Sequence, residues 1–203
     1  MPQTLRVISD ARRCTICAEH LPLEPRPLLA GSAGSRILLI GQAPGRATHD
    51  RGEPWRDASG DRLRDWLGLD EHQFYNPALV AQMPMGFCYP GKGASGDLPP
   101  RPECAPKWHP RLLRAFRAVE LTVLIGRYAF DRYLRDDLGS RATGVTEIVH
   151  RHQEWLPDRI ALPHPSPRNN IWLKKNRWFE RRCVPALRER VAELVGSRAS
   201  DAR

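Results

Sequence analysis

The residues that could do chemistry gather in two short segments far apart in the chain. Gly41-Gln42-Ala43-Pro44-Gly45 follows the apolar run Ile37-Leu38-Leu39-Ile40, and His164-Pro165-Ser166-Pro167-Arg168-Asn169-Asn170 follows Ile160-Ala161-Leu162-Pro163. Each reads as a buried strand that ends in a stiff polar loop. In open α/β sheets, ligand sites form at the carboxyl ends of strands, so the two loops side by side would line one pocket. Gly41 and Gly45 permit close approach of backbone to a ligand. His164 is held between prolines, and a neutral imidazole can donate a hydrogen bond. A histidine taken alone is more often a satisfied structural residue, so its chemistry rests on its surroundings.

The elements that must position these loops can be read from apolar patterning. Residues 36–40, 78–83, 121–125 and 159–162 form four apolar runs that predict buried strands. Residues 59–69 carry Leu63, Trp66 and Leu67 at helical spacing, with Ser59 as the expected N-cap. Further helices are predicted over residues 109–119, 127–134 and 184–195. Strands alternating with helices predict an α/β domain, a three-layer αβα arrangement around a mostly parallel four-stranded sheet. Two long irregular stretches, 41–58 and the Gly- and Pro-rich 85–107, are of a length that usually carries function or a cofactor. One domain is expected over residues 1–196, followed by a polar tail, 197–203.

Composition narrows the class. The chain has 203 residues, 41% of them hydrophobic, which suits one domain with a real core. The formal net charge of +9 favours a polyanionic partner, without choosing among DNA, RNA and an anionic membrane surface. A soluble basic protein with no such partner is the plain alternative. No apolar stretch approaches the roughly 20 residues of a membrane span, and residues 1–13 hold no apolar signal core. A cytoplasmic protein is expected. In the segment Asn170–Phe179, cations including Lys174 and Lys175 interleave with aromatic residues, which suits phosphate contacts beside base stacking. An amphipathic helix burying Ile171, Trp172 and Phe179 would explain the same pattern, and both readings can hold.

The cysteines form a second constellation. Cys14-Thr15-Ile16-Cys17 is a C-x2-C pair, and Cys88 and Cys104 bracket the Pro- and Gly-rich stretch. A fold could bring these four thiols together, and in a cytosolic chain they favour a metal or cluster over disulfides. Four thiolates suit either zinc or a [4Fe–4S] cluster, and spacing does not separate the two. Buried thiols without metal are the plain alternative. Cys183 lies in the expected C-terminal helix as an ordinary core or surface residue.

Taken in order from Cys14 to about Phe179, these pieces resemble the uracil-DNA glycosylase superfamily, and within it the iron–sulfur branches of thermophile type. The resemblance implies a [4Fe–4S] cluster on Cys14, Cys17, Cys88 and Cys104, with zinc as the alternative, in a structural role. It implies that His164 hydrogen-bonds the base carbonyl and stabilises the departing anion. Gly41, Gln42, Ala43 and Pro44 would line the pocket floor. Gly52-Glu53-Pro54-Trp55-Arg56-Asp57-Ala58-Ser59-Gly60 resembles the second part of the first motif, so Trp55 would stack on a flipped base and Asp57 would position the catalytic water. For Asp57 the competing reading is a charge at a helix start. Ser166, Pro167, Arg168 and Asn169 would enter the DNA, with Ser166 to Arg168 filling the gap that the base leaves. Phe87 would shape a pocket wall or pack in the core.

Two departures bear on substrate. Ala43 stands where some relatives carry an acidic or amide residue, and Pro84 lies in the segment where uracil-selective branches carry an Asn that reads the pyrimidine edge. Proline offers neither that side chain nor a backbone N–H. The expectation is a monomeric, monofunctional DNA glycosylase that releases uracil or another deaminated base, such as hypoxanthine or xanthine, from damaged or single-stranded DNA. A damaged-base-binding module of the same fold with little catalysis, and a zinc-bearing structural module, are the alternatives.

Overall fold

A computed structural model describes residues 3–94, 96–139 and 144–201, with side chains described as far as residue 196. Its centre is a four-stranded parallel sheet of β1 (Ile37–Ile40), β2 (Val80–Gln82), β5 (Leu121–Ile125) and β6 (Arg159–Leu162), in the order β2-β1-β5-β6. A separate two-stranded antiparallel hairpin, β3 (Lys92–Gly93) and β4 (Gly96–Asp97), rises from the long stretch after β2. The register sets Ile37 against both Val80 and Leu121, and Val123 against Ile160. Every β1 side chain is buried, as expected of a central parallel strand covered on both faces.

The helices are α1 (Gln3–Arg12), α2 (Arg46–Arg51), α3 (Ala58–Leu67), α4 (Glu71–Tyr75), α5 (Cys104–Ala115), α6 (Arg127–Tyr133), α7 (Arg135–Leu138), α8 (Val145–His150), α9 (Asn170–Lys175) and α10 (Val184–Asp201). They flank the sheet, with α1 packed on α5 and α3 packed on α10. The three-layer α/β expectation is met. No helix among the described residues is long and apolar enough to cross a membrane.

Three local readings are corrected. The N-cap of α3 is Asp57 rather than Ser59: its carboxylate accepts the Gly60 N–H at 2.9 Å, and Ser59 is buried inside the first turn. A carboxylate satisfies an orphan donor and meets the positive end of the helix dipole. Helix α5 starts at Cys104, five residues before the expected 109, and ends at Ala115. Pro106 sits in its first turn, where a missing N–H costs nothing, although the sequence reads there as a breaker. Helix α10 continues through Asp201, into what reads as a polar tail; residues 202–203 lie outside the described residues.

Candidate active site

All four strands of the main sheet end on one side. Gly41 to Gly45 follow β1, Pro84 follows β2 and His164 follows β6, and these meet at one place, with Gly126 after β5 lying behind the His164 side chain. A cavity of about 540 Å³ opens there, lined by Gly41, Gln42, Ala43, Pro44, Trp55, Asp57, Asp97, His164 and the loop from Ser166 to Asn169 among others. That volume falls in the ordinary range of small-ligand sites. The two loops that the sequence sets far apart thus meet across one pocket.

His164 is half-buried, and the Ser166 N–H points at its Nδ1 from 3.2 Å. An N–H donor at Nδ1 requires a lone pair there, so the imidazole proton resides on Nε2. Burial pushes the His164 pKa below the ordinary value. The Asp57 and Asp97 carboxylates pull it back up, and Arg168 adds to the lowering. The result is a neutral donor. The loop behind it is braced twice. Asn169 donates its side-chain N–H to the His164 carbonyl at 2.7 Å. Arg62, on α3, donates to the Pro165 and Ser166 carbonyls at 3.2 and 3.1 Å and to Asn170 Oδ1 at 2.8 Å.

Trp55 stands beside His164, its ring centroid 6.1 Å away and tilted by 34°. Its backbone adopts φ 61°, a left-handed conformation rare for a bulky residue and a mark of functional sites. Arg64 holds it by donating to the Trp55 carbonyl at 3.3 Å. The edge of the indole lies 3.0 Å from where a Cβ on Gly41 would stand, so glycine is needed there for ring and turn to meet. Gln42 turns its amide N–H to the Leu98 carbonyl at 3.3 Å and so ties the hairpin to the first motif.

The remaining predicted residues fall as follows. Pro167 and Arg168 are exposed on a short 3-10 turn, capped by Ser166 Oγ accepting the Arg168 N–H at 3.3 Å. Lys174 and Lys175 are exposed on α9. In the same segment Phe179 is buried, but Ile171 is 69% exposed, so its expected core position is corrected: it occupies the first turn of α9, facing outward. Phe87 belongs to the core and not to the cavity wall. It is 1% exposed and stacks on His109 at 5.8 Å, because a phenyl ring gains more from full burial than at an open mouth.

Sequence reasoning missed three contributors. Arg62 gives no motif signal. Asp97 lies on the hairpin, whose glycines at 91, 93 and 96 were the available hint. His109 is wholly buried between the Phe87 and Tyr133 rings. Its Nε2 faces the Pro84 carbonyl at 3.0 Å and its Nδ1 the Tyr133 hydroxyl at 2.5 Å. Burial holds its pKa down at about 4, so a neutral ring donates from Nε2 to Pro84 and accepts from Tyr133. His109 thereby fixes the pocket wall after β2 from behind.

A second, smaller cleft is lined by Cys14, Cys17, Cys88 and Cys104 together with Phe87 and Arg101. All five cysteines of the chain are free thiols. Burial pushes Cys88 and Cys104 up to about 12, and the neighbouring thiols add to this. The Phe87 N–H points at Cys104 Sγ from 3.4 Å. Among the described residues, no three His, Cys, Asp or Glu side chains are grouped so as to hold a metal ion. Cys183 is buried in a π-helical turn just before α10.

The all-parallel sheet, flanked by helices, sets a glycine-flanked loop, a caged histidine and a positive-φ tryptophan around one cavity, and defines an α/β domain. Residues 30–188 match the family described as the Uracil DNA glycosylase superfamily, and the chain belongs to that superfamily. Membership points to DNA glycosylase chemistry, with DNA as partner. The match begins after Cys14 and Cys17, so the thiol set stands on its own geometry.

Proposed function

We propose that this protein is a monofunctional DNA glycosylase that removes uracil or another deaminated base and leaves an abasic site, acting as a monomer. The observation that carries the reading is the neutral His164 fixed as an Nε2–H donor at the cavity. As the N-glycosidic bond breaks, negative charge collects on the base, and a preorganised donor aimed at a base carbonyl stabilises it. Trp55 offers the stacking face. A cavity carboxylate holds the attacking water, and Asp57 is the one in the family-like run. No lysine stands in these motifs to form a Schiff base, so cleavage ends with hydrolysis. Ser166, Pro167, Arg168 and Asn169 meet the strand around the flipped nucleotide, and Lys174 and Lys175 meet phosphates.

Pro84 on the wall after β2 provides no side-chain hydrogen bond to a pyrimidine edge, which supports acceptance of bases wider than uracil. Oligonucleotides carrying uracil, hypoxanthine or xanthine, single-stranded and paired, test this. Alkali-labile sites are expected with at least one of them. No release from any would leave the second reading, a damaged-base binder, which Ala43 and the capping duty of Asp57 favour.

The thiol set fits a bound [4Fe–4S] cluster on Cys14, Cys17, Cys88 and Cys104. Two observations support it: four thiols around one cleft and an N–H donor on the Cys104 sulfur. When bound, such a cluster supplies a structural crosslink between the N-terminal segment, the stretch after β2 and α5. Protein purified without oxygen is expected to carry about four irons per chain and matching acid-labile sulfide, lost in Cys88→Ser. Zinc without iron would mean the alternative metal.

A further inference from the structure

The first motif lacks a carboxylate at Ala43, yet the cavity holds one that comes from elsewhere in the chain. Asp97 ends the hairpin of β3 and β4, and its Oδ2 lies 3.3 Å from where a Cβ on Gly45 would stand, directly over the first-motif turn. The hairpin is clamped on both sides. Gln42 donates to the Leu98 carbonyl, and the Arg168 guanidinium packs against Gly96, its Nη1 2.7 Å from a Cβ built there. Asp97 lines the same cavity as His164 and Asp57, and both carboxylates act on the His164 imidazole, Asp57 the more strongly.

The two carboxylates are not equally available. Asp57 Oδ1 accepts the Gly60 N–H and caps α3, which turns the group toward its own helix. Asp97 pairs with Lys92 through the hairpin backbone, and its carboxylate makes no hydrogen bond or ion pair with the described residues. A carboxylate that must grip a water, and face a sugar gaining positive charge, works best with both oxygens open.

We propose that Asp97, reaching from the hairpin over the first motif, is the carboxylate that holds the attacking water, and that Asp57 serves chiefly as the cap that fixes α3 and Trp55. This rests on the glycosylase reading. The water oxygen bonds to C1′ as the C1′–N bond breaks, and the bonding pair leaves with the base. One water proton passes to the Asp97 carboxylate and then to solvent. His164 Nε2–H stabilises the base anion, which takes up a proton from solvent after release.

The test compares Asp97→Asn, Asp57→Asn and wild type in single-turnover base release. Binding to an oligonucleotide with a tetrahydrofuran abasic analogue is measured alongside. Asparagine still caps a helix, so Asp57→Asn removes charge while keeping the cap. The expected result is release slowed roughly 10²–10³-fold in Asp97→Asn with abasic-site binding held within about threefold, and less than about tenfold slowing in Asp57→Asn. Release by Asp97→Asn within about threefold of wild type, or the larger loss in Asp57→Asn, overturns the assignment while leaving the glycosylase reading intact. A wild-type protein that releases no base overturns both.

Discussion

Replacing His164 with alanine is expected to slow base release by roughly 10²–10³-fold while the protein stays folded and still binds DNA. The side chain is half-buried at the cavity, and its loop is held mainly by Arg62 and by Asn169, neither of which bonds to the imidazole. Truncation therefore removes the donor without releasing the loop. The pH profile carries the same argument. The ring must be neutral at Nδ1 to accept the Ser166 N–H, and burial lowers its pKa from the ordinary 6.5. A depressed pKa keeps the neutral form in place as pH falls past 6.5. Wild-type release is expected to stay level through that value and to drop only below it, where the imidazolium forms and the Ser166 bond is lost. Single-turnover rates across pH check this. A limb centred at or above 6.5, or His164→Ala releasing base at the wild-type rate, would count against the assignment.

Gly60→Ala is expected to be the most damaging glycine-to-alanine change among the described residues. A Cβ there would stand 1.7 Å from the Trp55 carbonyl oxygen and 2.5 Å from its carbon, both backbone atoms. The Trp55 backbone is already in the left-handed region and held by Arg64, so relief must come from shifting the start of α3. That shift would pull Asp57 off its cap and move the indole from Gly41. Overpacking of this kind costs about 3 kcal/mol, which for a chain of this size lowers the thermal midpoint by roughly 6–12 °C. Melting curves and indole fluorescence read both effects. An unchanged midpoint would show that the Trp55 to Gly60 turn is looser than its geometry implies.

The strands were legible because central parallel strands are apolar on both faces, and Ile37 to Ile40 or Leu121 to Ile125 could hardly be anything else. The two loops were legible because they follow those strands directly. Helix α5 was misread at its start because Pro106 looks like a breaker, and only the helix itself shows that it lies where no N–H is needed. The cap of α3 was misplaced because Asp57 and Ser59 are both good caps, and the choice depends on the turn at Trp55. Arg62 and His109 were invisible for a different reason. Each acts on a carbonyl distant in sequence, Pro165 for one and Pro84 for the other, and no local pattern encodes such a contact. Asp97 was hidden by the hairpin, which brings a residue from the cysteine-flanked stretch back over the first motif.

The strand order has a kinetic consequence. β1, which carries the glycine loop, finds its partner β5 only after more than a third of the chain has been laid between them, and β6, which carries His164, must then dock on β5. Contacts so far apart in sequence are slow to form, because the entropy of closing the chain is lost before any pairing rewards it. The first-motif side of the pocket can form with the β1–β2 pair, but His164 joins it only when β6 docks on β5. On the proposed reading, base release is thus confined to chains that have completed the whole sheet.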